Sequence, residues 1–312
     1  MNCMKNIDIN GKGLFVFSDP GGAKPCLSFI LLNNLSNYIV ISDREYNFYS
    51  DFEINVIISV EIERYIADFN PDYIFSATSY MSNIEKIALR IARINKIPSI
   101  AYIDHPSNIL DRFNFNNEFY IPDSILVGDY DVLNEVKSYN LFDSCRVRII
   151  LNPYHFFLAK WKPKVDKVSF LRQLAITTQK KIVLIAFEPL SNINGLEKYG
   201  FDEFTGINEI NSIIESEDLD YTYIFKPHPN QNMDLLINEL SHKIIVVSSQ
   251  TDTNNLIFYS DIIIGFFSNI LLEANIFEKR IIRYQPVGFK NDPFINKKVG
   301  ITATKDTLIE YL

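Results

Sequence analysis

The chain has 312 residues, of which 47% are hydrophobic, so it is long enough for two domains with sizeable cores. Its formal net charge of -8 excludes a general nucleic-acid binder, because such proteins need a basic face to attract phosphates. A local basic pocket for one small phosphate ligand remains compatible with that charge.

The three cysteines are far apart and odd in number, which argues against a disulfide framework or a zinc site. The polar N-terminus lacks the apolar core of a signal peptide, and no run reaches the roughly 18 apolar residues of a membrane span. We therefore expect a cytoplasmic protein that uses no metal and no other cofactor.

Short apolar runs alternate with amphipathic segments along the first half of the chain. Strands are predicted over 13–18, 37–42, 71–78, 97–104 and 122–128, and helices over about 25–35, 61–70 and 83–96. This β-α-β alternation is typical of a parallel sheet with helices on both faces.

The alternation restarts after residues 152–164, which we interpret as a crossover between domains. Further strands are predicted over 180–189, 220–227, 243–249, 261–268 and 280–284, with helices near 207–216, 233–241, 254–260, 269–279 and the C-terminus. The sequence thus predicts an α/β protein with two doubly wound, Rossmann-like domains, 1–153 and 154–312, facing a cleft. Ligands bind outside the carboxyl ends of such strands.

Polar residues follow the first strand in the loop "SDPGGAKP". Gly21 and Gly22 allow a tight turn, and the next helix can face an anion or polar group. The loop lacks the GxGxxG pattern, so no dinucleotide fingerprint is present. Asp19 is interpreted either as a helix cap or as a functional residue, namely a general base or a contact to the acceptor.

Two other strand ends in the first domain carry polar residues. Asp104, followed by His105, is placed for proton chemistry, although such a pair is often structural, and Arg112 is a candidate anion contact. Ser76, Thr78 and Ser79 follow a third strand and are interpreted most simply as helix caps.

The stretch "IFKPHP" places Lys226 and His228 at the end of a second-domain strand. Pro227 and Pro229 restrict the backbone, so the imidazole has little freedom and can donate to a phosphate oxygen. The alternative is an ordinary surface turn.

The segment "GFFSNILLEA" places Ser268 and Asn269 at a helix start, where free N–H groups favour an anion. Glu273 lies further along that helix and can accept from ribose hydroxyls. Glu188 and Ser191, after the first strand of this domain, are predicted at the same rim. The alternative is an ordinary Ser/Asn cap on a buried helix.

The run "DSILVGDYDVLNEVKSYNLFDSCRVRIILNP", the "KPHP" turn and the "GFFSNILLEA" segment resemble GT-B glycosyltransferases and the related UDP-N-acetylglucosamine 2-epimerases. The His-Pro turn is similar to that of bacterial sialyl-, polysialyl- and Kdo transferases and of CDP-glycerol glycerophosphotransferases. This resemblance implies that His228 and Ser268 hold a nucleotide phosphate and that Glu273 holds the ribose. Phe266 and Phe267 depart from the Gly- and Ser-rich epimerase site, and the acidic sialyltransferase motif is missing.

The favoured function is therefore metal-independent transfer of a sugar from a nucleotide-activated donor to a glycan or glycolipid acceptor in surface polysaccharide synthesis. A CMP-linked acidic sugar is the first choice of donor and a UDP-sugar the second, with Asp19, then Asp104, as the base. The alternatives are a nucleotide-sugar epimerase or hydrolase, a CDP-glycerol-type transferase and a non-catalytic nucleotide-sugar binding protein. Peripheral association with the inner face of a membrane is compatible with all of these.

The sequence "DYD" at 129–131 has the letters of a metal-binding DxD motif. Its position beside a predicted helix start favours a helix cap instead.

Overall fold

The computed structural model describes residues 9–79, 82–106, 108–217, 219–287, 292–294 and 297–312. It divides into two compact units, Met1–Lys160 and Trp161–Leu312. The sequence-based boundary lies at 153/154, and the structure includes the helix that follows it in the first unit.

The strands of the first unit are β1 (Gly13–Phe17), β2 (Tyr38–Ser42), β3 (Val56–Ile58), β4 (Tyr73–Ala77), β5 (Ser99–Ile103), β6 (Asn114–Phe115), β7 (Glu118–Phe119), β8 (Ser124–Val127) and β9 (Arg146–Ile149). Among the described residues, seven of them form a parallel sheet in the order β3-β2-β1-β4-β5-β8-β9. Strands β6 and β7 pair separately as a short antiparallel ribbon.

The helices of the first unit are α1 (Pro20–Leu32), α2 (Ile62–Phe69), α3 (Ile84–Asn95), α4 (Tyr130–Lys137) and α5 (Pro153–Leu158), with 3₁₀ turns at Asn47–Asp51, Leu110–Arg112 and Asn140–Phe142. Asp129 caps α4 by accepting from the Val132 N–H, which confirms the helix-cap interpretation of "DYD". Helix α1 begins at Pro20 rather than near residue 25, since proline suits the first helical position.

Strand β1 is buried along its whole length and carries core residues on both faces. Leu14 and Val16 pack with the apolar residues of α2 and α3. On the other face Phe15 stacks on Phe75, and Phe29 of α1 stacks on Phe75 as well. Burial on both faces is expected for the central strand of a parallel sheet.

The strands of the second unit are β10 (Lys181–Ile185), β11 (Tyr221–Phe225), β12 (Ile244–Val246), β13 (Ile262–Gly265), β14 (Arg280–Tyr284) and β15 (Ile301–Ala303). In the part of the chain that the structure describes, they form a six-stranded parallel sheet in the order β12-β11-β10-β13-β14-β15.

The helices of the second unit are α6 (Lys167–Gln173), α7 (Gly195–Tyr199), α8 (Glu203–Ser216), α9 (Met233–Leu236), α10 (Thr253–Tyr259), α11 (Asn269–Ile276) and α12 (Leu308–Tyr311), with 3₁₀ turns at Leu190–Ile193 and Ile237–Glu239. Alternate residues of β10 supply two cores. Val183 and Ile185 pack toward α8, whereas Ile182 and Leu184 pack toward α6, α10 and α11.

Each sheet has its strand order reversed next to its first strand. In the first unit this switch point lies between β1 and β4, which pair in parallel with Phe17 opposite Ala77. In the second unit it lies between β10 and β13. Loops that leave the carboxyl ends of two such strands run in opposite directions and leave a crevice, which is where ligands bind in these sheets.

Candidate functional sites at the sheet edges

Asp19 leaves the carboxyl end of β1 and is the N-cap residue of α1. Its side chain forms no cap hydrogen bond; instead it accepts from Arg44 Nη1 at 3.0 Å. Burial raises the pKa of Asp19, and the Arg44 charge partly offsets that rise. A half-buried carboxylate with a raised pKa at a switch point has the character of a general base.

Asp104 follows β5 and pairs with the guanidinium of Arg112 at 2.8 Å. Arg112 is only 5% exposed and also donates to the Thr78 carbonyl at 2.7 Å. The structure therefore makes Arg112 an internal partner of Asp104 rather than a contact for an external anion.

Gly21 and Gly22 lie in the first turn of α1, where the backbone approaches two neighbours closely. A Cβ on Gly21 would collide with the Asp104 carboxylate, and one on Gly22 would lie 2.7 Å from the Ala77 carbonyl oxygen. Their role is to let α1 pack directly against the ends of β4 and β5. The predicted tight turn is replaced by the helix itself.

Glu85 is a buried acidic residue that was not among the site residues predicted from the sequence. It is 0% exposed, and its carboxyl group accepts from the Ser18 N–H at 3.0 Å and the Ser79 hydroxyl at 2.6 Å. Burial raises its pKa to about 8, so Glu85 is mostly protonated at neutral pH. The sequence feature that could have identified Glu85 is its position, as a glutamate, within the apolar stripe of α3.

The predicted capping role of Ser76, Thr78 and Ser79, at the end of β4, is wrong. Ser79 binds the Glu85 side chain, and the Thr78 hydroxyl donates to the Tyr102 carbonyl. The Ser76 hydroxyl is buried, with no hydrogen-bond partner among the described residues. Helix α3 has Asn83 at its N-cap position instead.

His228 lies three residues after the end of β11, and its imidazole is oriented by its own turn. Its Nδ1 accepts from the Asn230 N–H at 3.1 Å, and its backbone N–H donates to Gln231 Oε1 at 2.7 Å. Because Nδ1 accepts, the neutral ring carries its proton on Nε2. Burial lowers the pKa of His228, and Lys226 acts in the same direction, so the neutral Nε2–H donor is favoured at pH 7.

Gln231 anchors this turn to the loop after β10, since its amide donates to the Phe187 carbonyl at 3.2 Å. Asn192 adds a second tie by donating to the Asn230 carbonyl at 3.0 Å. Neither residue was a sequence candidate, because both bonds join segments about 40 residues apart along the chain. The turn is therefore held by side chains as well as by its two prolines.

Lys226 is only 8% exposed, and its ammonium group donates to the Ser249 carbonyl at 3.0 Å. It contributes a buried positive charge below the His228 turn and ties that turn to the loop after β12. In this structure the Lys226 ammonium group stabilises the fold through that hydrogen bond, and it acts on a ligand only through the electrostatic field of its charge.

Ser268 is the N-cap residue of α11, yet its side chain forms no cap hydrogen bond. Its Oγ is buried and has no partner in the described part of the chain. Asn269 beside it is exposed, and Glu273 is buried one turn further along the helix. A buried hydroxyl without a partner beside uncapped helix N–H groups is a candidate anion site.

Glu188 spans the switch point of the second unit. Its carboxylate accepts from the Phe267 N–H at 2.8 Å and from the Phe266 N–H at 3.3 Å, just before the start of α11. Burial raises its pKa to about 7, although these N–H groups act in the opposite direction. Glu188 thus shares one edge of the sheet with Ser268, as the sequence predicts.

Ser191 does not present its polar groups to a ligand in this structure. Its N–H and its hydroxyl both donate to the Glu203 carboxylate, at 2.9 and 2.6 Å. Ser191 therefore joins the loop after β10 to the start of α8. Its assignment to the rim is corrected to this internal contact.

The described residues contain no group of three or more His, Cys, Asp or Glu side chains placed to hold a metal ion. No helix within the described ranges is both long enough and apolar enough to span a bilayer.

A comparison with solved structures finds the same two-unit architecture elsewhere. UDP-GlcNAc 2-epimerase from Methanocaldococcus jannaschii is similar at a TM-score of 0.65 and 14% identity, covering 96% of this chain and 91% of that one. The Neisseria meningitidis UDP-GlcNAc 2-epimerase bound to UDP-GlcNAc gives 0.63 and 18%, covering 96% and 90%. A Rickettsia africae glycosyltransferase gives 0.57 and 14%, covering 97% and 87%.

The chain has a GT-B fold. This confirms the predicted fold class of two Rossmann-like units. A family model described as CDP-glycerol:poly(glycerophosphate) glycerophosphotransferase matches residues 161–287, which lie entirely in the second unit of the GT-B fold. No curated protein sequence matches the chain.

Proposed function

We propose that this GT-B protein is a transferase that moves a glycosyl group from a nucleotide-activated donor to an acceptor hydroxyl. The observation that supports this proposal most directly is a pair of hydrogen-bond donors, His228 and Ser268, at the carboxyl edge of the second sheet. His228 has its proton fixed on Nε2, and the start of α11 has a buried Ser268 hydroxyl without a partner among the described residues. Both are suited to phosphate oxygens.

The chemistry of the leaving group explains why these donors matter. As the bond from the sugar to the nucleotide phosphate breaks, negative charge grows on the phosphate oxygens. Fixed N–H and O–H dipoles stabilise that charge without reorganising. His228, Ser268 and Asn269 hold the phosphate in this proposal, Lys226 adds its buried positive charge, and Glu273 takes the ribose.

The base is assigned to the first unit. Asp19 is the first choice, because it lies at the switch point of its sheet and burial raises its pKa, a rise that its Arg44 partner partly offsets. Asp104 is the second choice, since it is already held by buried Arg112. The base removes the proton from the acceptor hydroxyl as that oxygen attacks the donor.

The donor favoured here is a CMP-linked acidic sugar, with a UDP-sugar second. The resemblance of the His-Pro turn to sialyl- and Kdo transferases supports a cytidine nucleotide. The match of residues 161–287 to a CDP-glycerol transferase model supports the same nucleotide from a separate line of comparison. It also supports the second candidate, transfer of glycerol phosphate with release of CMP.

An epimerase or hydrolase is the other catalytic candidate, because two of the similar structures named above are UDP-GlcNAc 2-epimerases. A nucleotide-sugar binding protein without catalysis would bind the same donors and release no nucleotide. The proposed acceptor is a glycan or glycolipid of a bacterial surface polysaccharide, with the enzyme in the cytoplasm or at the inner face of the membrane.

A donor panel tests the proposal. Thermal shift and nucleotide release are measured with CMP-sialic acid, CMP-Kdo, CDP-glycerol, UDP-GlcNAc and a GDP-sugar. The proposal expects the largest shift from a CMP-sugar and CMP release that requires an acceptor. Turnover of UDP-GlcNAc without an acceptor would favour the epimerase, preference for CDP-glycerol would favour the glycerol-phosphate transferase, and no binding by any donor would overturn a nucleotide site.

A further inference from the structure

Glu188 places a negative charge where the proposed function needs a phosphate. Its carboxylate already accepts the Phe266 and Phe267 N–H groups, and the next residue is Ser268 at the start of α11. The two backbone N–H groups directly before the candidate anion site are thus already hydrogen-bonded to a carboxylate of the protein itself. Any phosphate at Ser268 must lie close to this carboxylate.

Two like charges in one partly buried site raise the free energy of both. Bound phosphate remains ionised, because each phosphate group of a nucleotide sugar is a strong acid. The carboxyl group is the partner that can become neutral by taking up a proton. The Phe267 and Phe266 N–H groups reach different oxygens of this carboxyl group, at 2.8 and 3.3 Å. A neutral carboxyl keeps its carbonyl oxygen for the shorter bond from Phe267, and the longer contact from Phe266 then meets the hydroxyl oxygen, which is a weaker acceptor.

We propose that donor binding at the start of α11 is coupled to protonation of Glu188, so that the protein takes up a proton when it binds the nucleotide sugar. This inference rests on the proposed function, because it concerns the same site. Glu188 acts here as a positioning residue. Its neutral form holds the β13–α11 loop in place while removing the charge that opposes the phosphate.

The free protein is poised for this exchange. Burial places the pKa of Glu188 at about 7, so both forms are populated at neutral pH. The charge of Glu203 on α8 also raises the pKa of Glu188. The remaining titratable groups at this edge of the sheet are Lys226 and His228, after β11, and Glu273 on α11. His228 can also take up a proton, but its lowered pKa confines that to more acidic solution.

Isothermal titration with the best-binding donor of the panel, without acceptor, measures this coupling. Nucleotide sugars have no proton that titrates between pH 6 and 8.5, so the ligand itself does not contribute. If only the neutral form of Glu188 permits tight binding, the affinity falls about tenfold between pH 6 and pH 8. Titrations at pH 7 in buffers of different ionisation enthalpy should show about half a proton taken up, rising toward one at pH 8.

Glu188→Gln has a neutral side chain of the same shape, whose carbonyl oxygen can keep the 2.8 Å bond from the Phe267 N–H while the longer 3.3 Å contact from Phe266 is lost. We expect its affinity to match the wild type at pH 6, to be up to about tenfold higher than the wild type at pH 8, and to show little proton uptake. Glu197→Gln, an exposed change on α7, is the matched control and should retain the wild-type pH dependence.

The outcomes separate the two proposals. Donor binding by the wild type with no proton uptake overturns this inference and leaves the proposed function standing, even if Glu188→Gln fails to fold. Equal pH dependence in the wild type and in Glu188→Gln also overturns it and transfers the uptake to His228. Failure of every donor to bind overturns the proposed function and this inference together.

Discussion

Glu85 makes the stability of the first unit depend on pH, and Glu85→Gln should remove that dependence. The side chain is 0% exposed and receives hydrogen bonds from Ser18 and Ser79. A glutamine can preserve both contacts, since its carbonyl oxygen accepts from the Ser18 N–H and its amide donates to the Ser79 hydroxyl. The substitution thus removes the ionisation and little else.

The sign follows from the two pKa values. Glu85 has a pKa of about 8 in the folded protein, against an ordinary value of 4.5 that applies to the unfolded chain. Between these values the folded state holds a proton that the unfolded state has released. Stability from this group is fully present below pH 4.5 and is lost as the pH rises toward 8.

The magnitude is about 1.4 kcal/mol for each pH unit in that window. Between pH 5 and pH 8 the wild type should therefore lose up to about 4 kcal/mol relative to Glu85→Gln. The two proteins should have similar stability near pH 4.5, and the variant should be the more stable one at pH 8.

Urea unfolding at pH 5, 6, 7 and 8 measures this difference. Far-UV circular dichroism follows both units, whereas Trp161, the single tryptophan, packs against Phe258 and Phe277 and reports the second unit. The change should appear in the circular dichroism transition of the first unit. Glu61→Gln, an exposed position in the same unit, serves as the control. Parallel pH profiles for wild type and Glu85→Gln would refute the buried, protonated state of Glu85.

Three further outcomes are expected at the two sheet edges. His228→Ala should fold normally and lower turnover about 10²-fold or more, as when one fixed oxyanion donor is lost. The control His242→Ala, at an exposed position, should keep wild-type turnover, and near-normal turnover of His228→Ala would remove His228 from the mechanism. Asp19→Asn should lower kcat about 10²-fold or more while donor affinity in titration stays unchanged, and the same loss in Asp68→Asn, an exposed control, would contradict a specific role. Gly22→Ala should destabilise the protein by about 1–3 kcal/mol in urea unfolding, because the new Cβ would lie 2.7 Å from the Ala77 carbonyl, and unchanged stability would show that α1 can move away.

The fold was largely predictable from the sequence because its pattern is local. Alternating apolar runs and amphipathic segments place most strands within a few residues of their observed bounds. The predicted strands do not include the edge strands β3, β9 and β15 or the two-residue strands β6 and β7. These strands are short and only partly buried, so their apolar pattern is weak. The start of α1 was missed because two prolines and two glycines resemble a loop. The structure shows instead a proline at a helix N-terminus and glycines that permit close packing.

The site was predictable only in part, for a different reason. Residues at strand ends can be read from the sequence, and they include Asp19, His228 and Ser268. Their partners cannot be read, because Ser18 and Glu85 are 67 positions apart and Glu188 and Phe267 are 79 apart. Which polar groups satisfy each other, and which stay available, depends on this long-range pairing. Ser191 and Lys226 have partners within the protein, whereas the Ser268 hydroxyl has none among the described residues.

The loop between β13 and α11 is anchored by aromatic packing rather than made of flexible residues. Phe266 stacks on Phe187 with ring centroids 4.1 Å apart, and Gly206 of α8 lies against both rings, where a Cβ would crowd them. Such a loop cannot lengthen or rotate without emptying a position in the hydrophobic core. Changes of ligand preference in descendants of this protein should therefore arise through exchange of side chains at positions such as 268 and 269. Remodelling the backbone of the loop would first destabilise the second unit.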